Sequence, residues 1–148
     1  MFICSGNYYR SRFAEAVFNH HARERGLDWR AFSRGLATHL VSGLGELSVY
    51  TRFALADRGI ALDHTGERPT ALTAEDLEKT EMPIALKEAE HRAMIREQFP
   101  DWENRIMYWH VHDLDGATPE EALPEIEKKV LRLLDELASH AENRSSAR

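Results

Sequence analysis

An α/β domain, built as a parallel sheet covered by helices, is the fold class this sequence predicts, and three observations predict it. Short apolar runs alternate along the chain with amphipathic stretches of helical period, the order expected when helices join the strands of a parallel sheet. The length of 148 residues suits one domain, and 43% hydrophobic residues are enough to cover both faces of a sheet. Neither a repeat nor a linker interrupts the pattern, so a single domain over residues 1–140 and a polar tail over 141–148 are expected.

Met1 to Cys4 is an apolar run followed by a Gly-Asn loop and reads as the first strand. From Ser11 to Arg25, Phe13, Ala14, Val17 and Phe18 recur at helical spacing, with Gly26 where a C-terminal cap belongs. Trp29 to Ser33, ending at Gly35, is a short strand candidate. Ser48 to Arg58 reads as a helix with Val49, Phe53 and Ala56 on one face, stopped by Gly59. Within Leu72 to Lys79, Thr73 caps a helix start and Asp76 answers it three residues later. Met82 to Leu86 reads as a strand with Pro83 at its beginning. Glu88 to Phe99 is a helix with Ala89, Ala93, Ile95 and Phe99 as inner candidates, ended by Pro100. Ile106 to Val111, rich in β-branched and aromatic residues, is the clearest strand. Thr118 caps, and Pro119 opens, a last helix whose apolar face is Ile126, Val130, Leu133, Leu134 and Leu137.

Nineteen Lys and Arg against 25 Asp and Glu give a net charge of −6, which argues against a protein whose main task is to grip a nucleic-acid backbone. No apolar run is long enough for a membrane span, and no basic-then-apolar signal segment opens the chain. The lone cysteine, Cys4, can form neither an internal disulfide nor a zinc-binding pair. A cytoplasmic domain without a cofactor is the expectation.

In parallel sheets the ligand site lies beyond the carboxyl ends of the strands. Two such ends carry chemistry: the loop after the first strand and the loop after Val111. Residues 4 to 11 read Cys4-Ser5-Gly6-Asn7-Tyr8-Tyr9-Arg10-Ser11. A tight loop running into a helix N-terminus turns its backbone N–H groups toward one anion, and Arg10 adds a planar fork of donors for phosphoryl oxygens. The same positive field favours the thiolate of Cys4, a nucleophile toward phosphorus that would form a cysteinyl phosphate. Gly6 and Asn7 suit positive φ, the Asn7 amide can brace the loop, and Ser11 Oγ is placed to donate to the sulfur. The bland alternative is an inert buried cysteine beside a turn; Gly, Asn, Arg and Ser at fixed offsets arise by chance about once in 10⁵.

These residues, followed by Ala14-Glu15-Ala16, resemble the N-terminal signature of the low-molecular-weight protein tyrosine phosphatases. The likeness continues through Ser33-Arg34-Gly35, Arg58-Gly59-Ile60, Leu72 to Asp76, Glu90-His91 and Phe99-Pro100, and so covers nearly the whole chain. It implies a flavodoxin-like three-layer sandwich with a four-stranded parallel sheet. It also implies phosphomonoester hydrolysis without metal, with Cys4 as nucleophile, Arg10 on the phosphate and residues 5–11 as its cradle. The expected partners are a phosphorylated protein or a small aryl phosphate, with inorganic phosphate in the loop, and neither nucleic acid nor membrane. Phosphotyrosine ranks ahead of phosphoarginine.

The leaving oxygen must be protonated, and a water must then be deprotonated. The family's acid is an Asp after the last strand, which places Asp113 in that role with Asp115 as the fallback. His110 and His112 alternate along the same stretch, but two histidines without a third ligand favour ordinary contacts over a metal. His20 and His21 read as solvated, and Trp29, Trp102 and Trp109 as core or rim residues.

Four departures from the family pattern bear on the cleft. Tyr9 replaces the second cysteine that can protect the nucleophile, and the lack of further cysteines also excludes thiol-dependent arsenate reduction. Tyr8 stands where the family has Ile, Leu or, in protein arginine phosphatases, Thr. Leu114 replaces the usual Pro after the acid. His39 and Leu40 replace a frequent Trp as the opposite cleft wall, so the aryl groove differs from the family's. These departures motivate a rival reading, a phosphate-binding module with little turnover.

Overall fold

The computed structural model describes residues 1–111 and 118–146. Four parallel strands, β1 (Phe2–Cys4), β2 (Ser33–Gly35), β3 (Ile84–Ala85) and β4 (Met107–Tyr108), form one sheet in the order β2-β1-β3-β4. Helices α1 (Arg10–Glu24), α2 (Val49–Asp57), α3 (Ala74–Lys79), α4 (Glu88–Gln98) and α5 (Pro119–Ser146) connect and flank it. Strand periodicity divides the core in two. Phe2, Cys4, Ile84 and Leu86 pack with Phe13, Val17, Phe18, Leu55, Ile126, Val130 and Leu134 on one face. Ile3 and Ala85 pack with Leu36, Leu72, Leu77, Ile95 and Ile106 on the other. The expected three-layer α/β sandwich is therefore present, with β1 in the interior of the sheet and Cys4 at its carboxyl end.

Local signals explain most boundaries. Both α1 and α2 end at glycines in the left-handed region, Gly26 (φ 66) and Gly59 (φ 67). Ser48 caps α2 by accepting from the Tyr50 N–H, and Thr73 and Asp76 form a reciprocal capping box on α3. The five apolar residues expected on the face of α5 are buried, and the helix continues through Ser146, into the stretch read as a polar tail.

Three readings of the sequence shift. The second strand begins at Ser33 rather than Trp29, because residues 33–35 pair with Phe2–Cys4 while Trp29 packs at the edge of the core. On α2 the face of Val49, Phe53 and Ala56 is turned to solvent, and Thr51 and Leu55 are buried. Thr51 belongs inside because its hydroxyl donates to the Tyr9 carbonyl at 3.0 Å. On α4, Ala89 and Ala93 are exposed while His91 and Ile95 are buried; small alanines mark no face strongly, so the larger groups decide it. Trp102 and Trp109 are partly buried against the core, as expected. No helix among the described residues is long and apolar enough to cross a membrane.

Candidate active site

The interior position of β1 puts residues 4–11 at the carboxyl end of the sheet, where the chain turns into α1. Cys4 is only 2% exposed. Its sulfur receives the Asn7 N–H at 3.3 Å and lies 2.8 Å from Ser11 Oγ. Asn7 takes φ 52, the left-handed conformation that asparagine tolerates. Gly6, expected to share positive φ, does not. Its reason is space: a Cβ there would stand 2.9 Å from Val41 Cγ1.

The Asn7 side chain braces the loop, as predicted. Its Nδ2 donates to Ser11 Oγ and Ser33 Oγ, both at 2.9 Å, and its Oδ1 accepts the Thr70 N–H at 2.8 Å. The Thr70 bond fixes which end of the amide is oxygen. From Ser33 a buried relay runs on: Ser33 Oγ donates to Glu15 Oε1 at 2.5 Å, and Thr65 Oγ1 donates to the same oxygen at 3.0 Å. Arg12, 1% exposed, donates to Thr65 Oγ1 at 2.6 Å and to the Glu46 carbonyl at 2.8 Å, and also to the Gly66 carbonyl. Burial pushes the Glu15 carboxyl up in pKa, against the pull of these bonds. Sequence reasoning missed Arg12 and Glu15; the available signal was two charges inside the most apolar stretch of α1.

Arg10 opens α1 and is gripped from another element. Its Nη1 donates to Glu90 Oε2 at 2.9 Å and its Nη2 to Glu90 Oε1 at 3.2 Å, while Ser5 Oγ donates to Oε1 at 2.7 Å. Burial alone would raise the Glu90 pKa, but the bonds from Arg10 and Ser5 outweigh it and hold the carboxyl at about 2. Next to it, buried His91 accepts the Lys87 N–H on Nδ1 at 3.1 Å. Its Nε2 has no hydrogen-bond partner among the described residues. Burial first, then the Arg10 charge, lowers the His91 pKa to about 4.

Tyr8 and Tyr9 build the flank of the loop. The Tyr8 hydroxyl donates to the Leu44 carbonyl at 3.0 Å, and its own carbonyl receives the Ser48 N–H at 2.9 Å. Tyr9 packs against the core and meets Tyr50 edge-on at 6.4 Å. His39 and Leu40, the expected wall, are exposed in a 3-10 turn over Thr38–Val41, with Leu40 64% exposed. On the other side Val111, 1% exposed, donates its N–H to the Leu86 carbonyl at 3.1 Å, so the chain leaves β4 at the same end of the sheet. Asp113, Leu114 and Asp115 lie outside the described residues, as does His112. His110 is solvent-facing, its Nε2 3.6 Å from Glu88 Oε1. Among the described residues no three His, Cys, Asp or Glu side chains are grouped to hold a metal ion.

Comparison with known proteins agrees with this geometry. A protein-arginine-phosphatase from Bacillus subtilis (strain 168) is 30% identical over 106 residues, which span 72% of this chain and 66% of that protein, just under two thirds of its length. A low molecular weight protein tyrosine phosphatase from T. tengcongensis superimposes with a TM-score of 0.75 at 25% identity, covering 91% of this chain and 96% of that one. The arginine phosphatase YwlE, solved as a cysteine-to-serine variant with its active-site serine phosphorylated, superimposes with a TM-score of 0.73 at 25% identity, covering 95% and 93%. The family model for low molecular weight phosphotyrosine protein phosphatase matches residues 1–143, and the chain belongs to that family.

Proposed function

We propose that this protein is a cysteine-dependent phosphatase that hydrolyses phosphomonoesters, protein phosphotyrosine first, through a cysteinyl phosphate. The single observation that carries the reading is the setting of Cys4: a sulfur at the start of a helix-opening loop, within reach of the Asn7 N–H and the Ser11 hydroxyl. In the first step the Cys4 thiolate attacks phosphorus, the ester P–O bond breaks, and the leaving oxygen takes a proton from the Asp113 carboxyl. Arg10 and the loop N–H groups balance charge on the equatorial oxygens. In the second step the Asp113 carboxylate takes a proton from water, the new hydroxide bonds to phosphorus, and the P–S bond breaks. The departing sulfur is received as a thiolate by Ser11. Thiolate, guanidinium and helix N-terminus supply the nucleophile and the positive charge, so no step calls for a metal.

Phosphoarginine is the second reading for the substrate, favoured by the likeness to the Bacillus subtilis protein-arginine-phosphatase. The deciding experiment is hydrolysis of p-nitrophenyl phosphate between about pH 5 and 8 without added metal, for wild type, Cys4→Ser, Asp113→Ala and Asp115→Ala. Turnover is expected to vanish in Cys4→Ser and to fall strongly in Asp113→Ala alone. Wild type no faster than Cys4→Ser, yet binding inorganic phosphate, would replace the enzyme with a phosphate-binding module. Paired phosphotyrosine and phosphoarginine peptides then rank the substrates.

A further inference from the structure

We propose that Glu90 is the positioning residue for Arg10, holding the guanidinium by its Nη edge so that the Nε edge is presented to the phosphoryl group; this rests on the phosphatase reading above. A guanidinium offers two bidentate edges, Nη1 with Nη2 and Nε with one Nη. Glu90 occupies the first, at 2.9 and 3.2 Å. A phosphate therefore meets the second.

The carboxylate also reaches the other end of the loop. Ser5, the residue after Cys4, donates to Glu90 Oε1 at 2.7 Å. One side chain from α4 thus ties together the start and the end of the phosphate loop, in addition to the Cys4–Ser11 contact and the Asn7 bonds within the loop. Two features keep Glu90 in place. It lies in the first turn of α4, where the helix dipole favours negative charge. The Lys87 N–H on His91 Nδ1 leaves the proton on Nε2, which stands 3.9 Å from Glu90 Oε2, so its dipole favours the carboxylate without a hydrogen bond. The carboxylate also offsets much of the Arg10 charge, so it orients the guanidinium without tightening the hold on a free dianion. That combination serves turnover, since product phosphate is not trapped.

The test is kinetics with p-nitrophenyl phosphate together with inhibition by inorganic phosphate, for wild type, Glu90→Ala and Glu90→Asp. Glu90→Ala is expected to lower kcat at least tenfold while KM and the phosphate inhibition constant change less than threefold, with partial recovery in Glu90→Asp. Equal kcat in all three proteins overturns the proposal, as does a loss carried by KM. A second readout does not need turnover: the side-chain Nε–H resonance of Arg10 in ¹⁵N-labelled protein, identified by Arg10→Lys. In wild type it is sharp and shifts on adding phosphate; in Glu90→Ala it is broadened away, while the buried Arg12 resonance persists as the control for folding. An unchanged Arg10 resonance overturns the proposal. If wild type shows this resonance behaviour but no turnover, the phosphatase reading fails and the positioning role of Glu90 stands.

Discussion

Ser11 Oγ lies 2.8 Å from Cys4 Sγ, and a third residue bonds the same hydroxyl. Asn7 Nδ2 donates into the same hydroxyl at 2.9 Å, and a thiolate can only accept, so in the reactive form the Ser11 proton points at the sulfur. A hydroxyl donating to sulfur stabilises it as a leaving thiolate. Hydrogen bonds to charged groups are worth about 1.5–3 kcal/mol, so Ser11→Ala is expected to lower kcat by about 10- to 100-fold. Rapid-mixing assays with an aryl phosphate should show a burst of phenol followed by a slowed steady rate. A kcat within twofold of wild type would remove Ser11 from the second step.

Asn7 combines a backbone and a side-chain requirement that can be separated. Its φ of 52 costs an alanine about 1 kcal/mol but costs glycine nothing. Its amide makes three hydrogen bonds, to Ser11, Ser33 and Thr70. Urea unfolding should show Asn7→Gly less stable than wild type by about 2–3 kcal/mol, and Asn7→Ala lower by about another 1 kcal/mol. Equal stability of the two variants would mean that the left-handed conformation is not what asparagine is needed for.

The sheet, the helix order and the loop geometry are legible in the sequence because each rests on local pattern. Cys4 to Ser11 are contiguous, and the hydrogen bonds among Cys4, Asn7 and Ser11 fall within eight positions. Glu90 is illegible for the opposite reason: it meets Arg10 across 80 positions of sequence, and nothing near either residue announces the pair. Arg12, Glu15 and Thr65 are similar, since a buried relay is defined by what the folded chain brings together. The faces of α2 and α4 fail differently. Helical period identifies a stripe but not which side a polar group must take, and Thr51 and His91 go inside to satisfy backbone groups at Tyr9 and Lys87.

Two glycines, one in the loop and one beside it, differ in what surrounds them, and their substitution should differ accordingly. At Gly6 a Cβ would meet the Val41 side chain at 2.9 Å. At Gly35 it would meet the Ser5 carbonyl oxygen at 2.8 Å as well as Thr38 Cγ2 at 2.9 Å. Gly6→Ala is expected to cost about 1–3 kcal/mol by overpacking, with most of it recovered in Gly6→Ala/Val41→Ala. Gly35→Ala should cost more, and Thr38→Ser should not rescue it, because the backbone carbonyl stays. Thermal unfolding of the four variants checks this, and rescue of Gly35→Ala by Thr38→Ser would contradict it.

His91 and Glu90 both contribute to how stability responds to acid. His91 titrates near 6.5 when unfolded but near 4 in the fold, where burial disfavours its charge. Its contribution is therefore complete above pH 6.5 and is lost as pH falls toward 4, because the unfolded chain takes up the proton first. A difference of that size corresponds to about 3 kcal/mol. Glu90 acts in the next window: held at about 2 against 4.5 unfolded, it contributes above pH 4.5 and the contribution fades toward pH 2. Glu90 is partly open to water, with 32% of its side chain exposed, so its share is well below that of a fully buried pair. Other groups move over the same range, among them the Met1 amino group, lowered to about 5 by burial. The informative quantity is therefore the difference between wild type and His91→Asn, whose side-chain oxygen can still accept the Lys87 N–H but does not titrate. Urea midpoints should diverge from parallel between pH 6.5 and 4, with wild type falling more steeply. Parallel curves across that interval would show that His91 is not held neutral by its burial.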